Sequence, residues 1–382
     1  MLQRIIKSPD QSFFLMGPRG SGKSTWLRHA YPDAHVIDLL SEATYQRLLG
    51  NPGLFADELA AIQPEKWVIV DEVQRLPNLL NEVHRFIEEK RLRFVLCGSS
   101  ARKLKRSGVN LLAGRALRRA MHPFVPEELG DAFVLDEALQ SGLMPVIWDS
   151  AAKDETLAAY AQLYLKEEVQ AEALVRNLPG FVRFLPLAAL FHGQTINVSN
   201  IARDAGVART TVAGYLDILE ETLLCFRLPA YEAKLRVRER KSPKWYWCDP
   251  GIVRAMKRSS GTLVPEERGA LFEGMVGQLL RAYSDYRGVF DEMCYWAPSA
   301  GSATEVDFLL RRGDETVAVE AKSGNNFSET WCKGLRAAAR LKGLCRRIIV
   351  YPRGPVLRTS DGIDVFPFMD FADRLAANTL WP

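Results

Sequence analysis

The apolar positions of this chain change rhythm along its length. Near the start they fall into short, largely unbroken runs, Phe13–Met16, His35–Leu40, Trp67–Val70 and Phe94–Cys97, of the kind that forms parallel strands buried on both faces. Between these runs the spacing lengthens to three and four, which predicts helices over Thr25–Ala30, Ser41–Ile62 with a break at Asn51-Pro52-Gly53, and Leu79–Glu89. Strand and helix alternating in this way specify a doubly wound parallel sheet. Helical spacing then dominates from Asp131 to Gly193, interrupted at Gly142-Leu143-Met144-Pro145, and reads as a lid beside the sheet or as a spacer. From Ile201 to Leu216 the pattern is that of a helix-turn-helix, with Ala202 small where two helices cross, Gly206 at the turn, and Val207, Val212 and Leu216 facing a core; Leu223 to Tyr231 offers a wing. Toward the C-terminus the period shortens to two. Thr304–Leu310 and Thr316–Lys322 flank a turn at Gly313-Asp314 and predict a hairpin, followed by a helix over Thr330–Leu341 and a strand over Arg347–Tyr351.

Where the first predicted strand meets the first helix, the chain reads Gly17-Pro18-Arg19-Gly20-Ser21-Gly22-Lys23-Ser24-Thr25, which fits G-x-x-x-x-G-K-[S/T]. Gly17, Gly20 and Gly22 let successive N–H groups point inward as a nest for phosphate oxygens, and the helix adds its N-terminal donors. Lys23 is placed to reach the β- and γ-phosphates and Ser24 to offer a hydroxyl to Mg²⁺, so ATP and Mg²⁺ are the expected cofactors. The run Trp67–Val70 ends in Asp71 and Glu72. Asp71 suits the Mg²⁺ shell, and Glu72 suits orientation and deprotonation of an attacking water, which favours hydrolysis over simple binding. Ser99 and Ser100 emerge at the end of the fourth run, where such sheets hold their ligands. Either can bond the γ-phosphate or the water, or be an ordinary turn serine.

With 382 residues, 47% hydrophobic and 25% charged, the chain has core for two or three domains. Its cysteines are scattered without a C-x-x-C pair, which argues against a zinc site or a disulfide framework and for a reducing compartment. The nucleotide-binding strand begins close to the N-terminus and no run is long enough to span a membrane, so a cytoplasmic location is expected. A net charge of +4 permits a nucleic-acid partner without requiring one. Ala101 to Arg119 carries Arg102, Lys103, Lys105, Arg106, Arg115, Arg118 and Arg119. It reads as a solvated face, as a phosphate-binding surface, or as the source of an arginine, Arg115, that neutralises transition-state charge on a neighbouring subunit. Lys234, Arg236, Arg238, Arg240, Lys241 and Lys244 close on Trp245-Tyr246-Trp247, interleaving basic and stacking side chains as nucleic-acid binders do, or forming a basic edge hairpin. In the helix-turn-helix, Arg209, Thr210 and Thr211 start the second helix but Asp217, Glu220 and Glu221 follow, which leaves DNA contact and a purely structural winged helix both open.

Taken in order, GPRGSGKST, WVIVDEVQRLPNL, FVLCGSSARKL, LLAGRA and HPFVPEEL resemble the bacterial and archaeal AAA-superfamily ATPases that carry a C-terminal DUF4143 domain. The resemblance implies an additional-strand, catalytic-glutamate ATPase with Lys23, Asp71 and Glu72 in the roles above, and a homo-oligomer, expected as a hexamer, if Arg115 works in trans. Where that family has a serine-rich PLSF, this chain reads Pro123-Phe124-Val125-Pro126, so any role of that serine is absent. In the C-terminal hairpin, Glu320 and Lys322 share a face and Asp307 stands opposite. Asp307 and Glu320 to hold a divalent metal, with Lys322 to orient water, suit phosphodiester hydrolysis; a cross-strand ion pair on a solvated face is the plainer reading. The pattern resembles the PD-(D/E)XK nucleases of restriction-endonuclease-like fold, and that resemblance implies a further glutamate on the preceding helix, matched by Glu273. Such domains also serve as non-cleaving grips. The expected fold is therefore α/β: a P-loop AAA-type parallel sheet over 1–130, a helical lid or linker over 131–195, a winged-helix-like unit over 196–232 and a nuclease-like domain over 233–382. The expected function is a Mg²⁺-dependent ATPase acting on duplex or branched DNA, with a nucleotide-dependent switch working through a protein partner as the alternative.

Overall fold

The computed structural model describes residues 2–100, 115–164, 177–231, 242–259, 261–298 and 304–382. Strands β1 (Phe13–Met16), β2 (His35–Asp38), β3 (Trp67–Asp71), β4 (Arg93–Gly98) and β5 (Leu117–Ala120) form a five-stranded sheet in the order β2-β3-β4-β1-β5. Every neighbouring pair is parallel. β1 is buried along its whole length because its apolar side chains alternate between two packed faces. Phe13 and Leu15 join Trp26, Leu27 and Tyr31 on one side; Phe14 and Met16 join Leu48, Phe55, Leu59 and Phe86 on the other. β4 lies between β1 and β3, which is the additional strand the resemblance implies.

β5 was not foreseen. Its sequence, LRRA, belongs to the basic segment, and as an edge strand paired on one side it needs no continuous apolar run. Arg102, Lys103, Lys105 and Arg106 lie outside the described residues.

The chain then turns through short helices, Pro126–Leu129, Leu135–Ser141, Pro145–Trp148 and Lys153–Ala159, to the helix Leu178–Leu190. Helices Val198–Ala205 and Arg209–Glu221 make the helix-turn-helix, with Gly206 left-handed at φ 65° and Val212 and Leu216 buried. Strands β6 (Gln194–Thr195), β7 (Cys225–Leu228) and β8 (Lys244–Trp247) form an antiparallel sheet in the order β6-β8-β7. The expected wing of Leu223 to Tyr231 supplies β7, and β8 pairs with it. Being the central strand, β8 is covered on both faces. Trp245, Tyr246 and Trp247 are at most 1% exposed, so they are core and not a stacking platform. Tyr246 stacks on Phe226 at 5.2 Å between centroids, and the Trp247 indole N–H donates to the Ala188 carbonyl. Lys234, Arg236, Arg238, Arg240 and Lys241 lie outside the described residues.

The C-terminal unit begins with the long helix Pro265–Arg287. It packs against a mixed sheet of β9 (Glu292–Trp296), β10 (Val306–Arg312), β11 (Glu315–Ala321), β12 (Leu344–Tyr351), β13 (Leu357–Arg358) and β14 (Asp364–Pro367), ordered β13-β14-β12-β11-β10-β9. The expected hairpin is β10–β11, antiparallel, and β11, β12 and β14 run parallel. Among the described residues no helix is long and apolar enough to cross a membrane.

Close approach of the long helix to the winged-helix unit demands a glycine. A Cβ at Gly274 would lie 2.0 Å from His192 Nε2, and His192 is fixed because its Nδ1 accepts the Trp247 N–H. Gly274→Ala is therefore expected to lower stability by about 1–3 kcal/mol in urea unfolding. Gly269→Ala on the same helix, where the nearest atom to a Cβ is Ser323 Oγ at 3.8 Å, is expected to change it by no more than about 1 kcal/mol, in the stabilising direction.

Candidate nucleotide site and a C-terminal charge cluster

The loop Gly17–Gly22 leaves the C-terminal end of β1 and turns into the helix Lys23–Ala30. Gly20 (φ 80°) and Gly22 (φ 88°) hold left-handed conformations that other residues take only with strain. Space forbids side chains as well: a Cβ at Gly17 would stand 2.6 Å from the Met121 carbonyl, and one at Gly20 2.6 Å from Val146 Cγ1. Lys23, 6% exposed, donates to the carbonyls of Gly17 (2.8 Å) and Pro18 (3.0 Å). These bonds keep a buried ammonium satisfied at the mouth of the loop.

The next strand but one brings the acids. Ser24 Oγ donates to Asp71 Oδ2 at 2.7 Å, while Asp71 Oδ1 accepts the Glu72 N–H at 3.0 Å. Glu72 itself is left-handed (φ 55°), a strained conformation for a non-glycine residue that turns its side chain off the strand. Burial raises the Glu72 carboxyl above its usual range; Lys23 opposes this and Asp71 adds to it. Arg19, Gly20, Gly22, Lys23, Ser24, Thr25 and Glu72 line one cavity of about 850 Å³, with Leu2, Ile6, Trp26 and Pro145 among its apolar wall, a size that suits a bound nucleotide.

Gln74 was missed by sequence reasoning. Its amide donates to Glu72 and to Ser99 Oγ (3.3 Å), bridging the ends of β3 and β4, and Gly98 leaves room for it, since a Cβ there would lie 2.3 Å from Gln74 Oε1. Ser99 is 3% exposed and thus belongs to this bridge at the carboxyl edge of the sheet. The helical region after β5 closes on the loop: the Val146 N–H donates to the Gly20 carbonyl at 3.2 Å, and the Tyr160 hydroxyl to the Arg19 carbonyl at 3.0 Å.

Arg4 was missed too, and no motif marks it. It lines the same cavity with its side chain 6% exposed. Its guanidinium donates to Glu128 Oε1 (2.9 Å), the Ser21 carbonyl (3.0 Å), the His122 carbonyl (2.5 Å) and the Tyr286 hydroxyl (3.2 Å) on the long helix. Arg115 lies apart, exposed and paired with Glu88, and it does not line the cavity.

The second constellation is assembled, with an addition. Lys322 pairs with Glu320 Oε1 at 2.6 Å; Glu320 Oε2 accepts the Asp307 N–H (3.3 Å) and Asp307 Oδ2 the Ala321 N–H (2.9 Å). Glu273 on the long helix accepts the Tyr246 hydroxyl at 2.5 Å. Into this group projects Lys244, which the sequence offers either to a nucleic-acid surface or to a basic edge hairpin. It is 3% exposed, and its Nζ lies 3.1 Å from Glu273 Oε1, 3.1 Å from Glu305 Oε1 and 3.5 Å from Asp307 Oδ1. Burial drives the carboxyls of Glu273 and Glu320 above their usual range, and the neighbouring Asp307 charge adds to it. Lys244 stays charged because Glu273, Asp307 and Glu305 outweigh its own burial. In the winged-helix unit, Asp217 and Glu220 are paired with Arg227 of β7 at 2.6 and 3.0 Å, while Arg209 and Thr210 are exposed.

Residues 9–130 match an AAA domain family, residues 133–262 a domain of unknown function, DUF8612, and residues 268–371 another, DUF4143. An uncharacterized protein of Mycobacterium tuberculosis is 27% identical over 363 residues, covering 92% of this chain and 79% of its own length. One from Haemophilus influenzae is 22% identical over 352 residues, 84% of each. Among solved structures, a signal transduction ATPase with numerous domains and a tetratricopeptide repeat sensor from Pyrococcus horikoshii aligns at 12% identity and a TM-score of 0.24, over 71% of this chain and 43% of its own. A DNA polymerase III gamma subunit-related protein from Thermotoga maritima aligns at 15% identity and a TM-score of 0.25, over 56% and 96%.

Replacing Lys23 removes a charged donor from the loop, and such bonds contribute about 1.5–3 kcal/mol. Lys23→Ala is expected to weaken binding of a fluorescent ATP analogue at least ~10-fold.

Proposed function

We propose that this chain, an AAA-type ATPase with a C-terminal DUF4143 domain, hydrolyses ATP with Mg²⁺ and couples the nucleotide state to DNA contact by its winged-helix unit. The observation that carries the reading is the convergence of Lys23, Ser24 and Glu72 on one nucleotide-sized cavity that Arg4 also lines, with Asp71 bonded to Ser24 behind it. Mg²⁺, for which Ser24 and Asp71 are the fitting residues, would supply neutralisation of phosphate charge. Lys23 exchanges the Gly17 and Pro18 carbonyls for phosphate oxygens. Glu72 takes the proton of the attacking water, and Gln74 holds the Glu72 carboxylate toward Ser99.

Output runs through Arg4. Its bond to the Ser21 carbonyl makes the loop one of its partners, and its bond to Tyr286 makes the long helix another. DNA contact is supported by Arg209 and Thr210, exposed at the start of the second helix, and by the pairing of Asp217 and Glu220 with Arg227, which lessens their repulsion of phosphate. The protein-partnered switch is the second reading, favoured by the burial of Trp245–Trp247, which withdraws the other candidate nucleic-acid surface. Assembly as a cytoplasmic homo-oligomer, a hexamer if closed as a ring, gives exposed Arg115 a neighbour's nucleotide to act on.

Steady-state ATP hydrolysis tests the reading. Glu72→Gln is expected to lower kcat at least ~10²-fold while ATP binding persists. Turnover needs the carboxylate, so kcat falls as pH drops through the Glu72 pKa, and the acid limb is expected above the ordinary glutamate value of 4.5. Single-stranded, duplex or four-way DNA is expected to stimulate turnover, with an effect that fades as salt rises and is lost in Arg209→Ala. Turnover indifferent to every DNA form transfers the reading to the protein-partnered switch. A wild type that binds ATP without hydrolysing it overturns both.

A further inference from the structure

The nuclease resemblance calls for a divalent cation between Asp307 and Glu320, with Glu273 completing its shell. The residues present do not fit that group. The space among the carboxylates is filled by the Lys244 ammonium, within 3.5 Å of Glu273, Glu305 and Asp307. Other carboxylate atoms are engaged as well: Asp307 Oδ2 by the Ala321 N–H, Glu320 by Lys322 and the Asp307 N–H, and Glu273 by the Tyr246 hydroxyl as well as by Lys244. Among the described residues no group of three or more His, Cys, Asp and Glu is disposed to hold a metal ion.

We infer that Lys244 is the resident cation of this constellation, and that the C-terminal domain is a metal-independent module in which a lysine holds the place a nuclease gives to its metal. The chemistry follows from the donors. An ammonium satisfies carboxylate charge at hydrogen-bond distance, whereas Mg²⁺ needs oxygens at about 2.0–2.1 Å in near-octahedral array and several waters. The two cannot share the space, so metal entry requires Lys244 to leave a site where it is 3% exposed. Leaving is opposed by the backbone, because Lys244 starts the central strand of the winged-helix sheet and pairs with both Thr195 and Leu228. An ammonium polarises phosphate but provides neither a metal-bound hydroxide nor a metal-stabilised leaving oxygen, so metal-assisted cleavage of a phosphodiester has no agent here. What remains is a clamp that ties β8, the long helix and β10 together through one charge.

The test is Mn²⁺ titration by calorimetry on the nucleotide-free full chain, carried in the Asp71→Asn background to remove the carboxylate that would hold a divalent cation at the loop. The wild-type C-terminal sequence is expected to take up no more Mn²⁺ at roughly millimolar concentrations than Asp307→Asn does. Lys244→Met keeps the apolar stem and removes the charge; it is expected to gain one Mn²⁺ site that Asp307→Asn abolishes. Uptake by the wild-type sequence that disappears in Asp307→Asn overturns the inference, as does metal-dependent DNA cleavage lost in that variant. A Lys244→Met protein that keeps its circular dichroism and melting transition yet binds no Mn²⁺ also overturns it, since something other than the ammonium then excludes the metal. Should Lys244→Met fail to fold, the wild-type and Asp307→Asn comparison still decides.

Discussion

Arg4 carries its charge with 6% of its side chain exposed, and a buried charge costs several kcal/mol unless its donors are met. The donors go to Glu128, to the Ser21 and His122 carbonyls and to the Tyr286 hydroxyl, groups that belong to the phosphate-binding loop, to the chain leaving β5 and to the long helix. None of these can shift alone without leaving the guanidinium short of a partner. Glu128 is tied in turn, since its oxygens also accept the Ile5 and Val125 N–H groups. The same neighbourhood holds His122, whose imidazole meets Asp285 at 2.6 Å and Gln278 at 2.9 Å, both on the long helix. Meeting one buried positive charge thus ties the loop of the parallel sheet to the C-terminal unit, and the His122 contacts add to the same junction.

The long helix makes this local requirement a global one. Glu273 and Tyr286 are thirteen positions apart on Pro265–Arg287, about 20 Å of continuous helix at 1.5 Å per residue. At one end stands Arg4, at the other Lys244, and each cation draws partners from separate units of the chain. Small residues keep the helix tight against its neighbours: Gly274 beside His192, and Gly277, where a Cβ would lie 3.0 Å from the Phe308 ring. A helix so packed moves as a body or not at all, because close-packed interfaces are not continuously deformable. On the proposed function, this helix is the element that would link a change at Ser21 to the charge cluster around Glu273.

The parts of this architecture that were legible in the sequence are those whose causes are local. The phosphate-binding loop could be read because nest, lysine and helix start lie within nine consecutive residues, Gly17 to Thr25. β1, β3 and β4 could be read because strands buried on both faces must be apolar throughout. β5 could not, because an edge strand of sequence LRRA has one partner and little apolar content. Trp245–Trp247 misled for the opposite reason. Aromatics beside lysines and arginines look alike whether they stack on bases or fill a core, and the central position of β8 between β6 and β7, which decides the matter, is a long-range fact. Arg4 and Gln74 left no signal, since each acts through partners fixed by topology: Gln74 reaches Ser99 because β3 and β4 are adjacent, and Arg4 reaches Tyr286 across most of the chain.

The same distinction explains why a nuclease pattern and a lysine clamp share one sequence. Alternation along β10 and β11 determines that Asp307 and Glu320 approach each other, and it says nothing about what stands between them. That is settled by Lys244, 61 residues before Glu305 and on a strand of a different sheet. An ammonium and a divalent cation both select clustered carboxylates, since each offsets the burial, and after it the Asp307 charge, that raise the carboxyls of Glu273 and Glu320. Carboxylates therefore report that a cation is required. Which cation it is depends on whether the fold delivers one of its own, and here β8 carries Lys244 into the cluster from the neighbouring sheet.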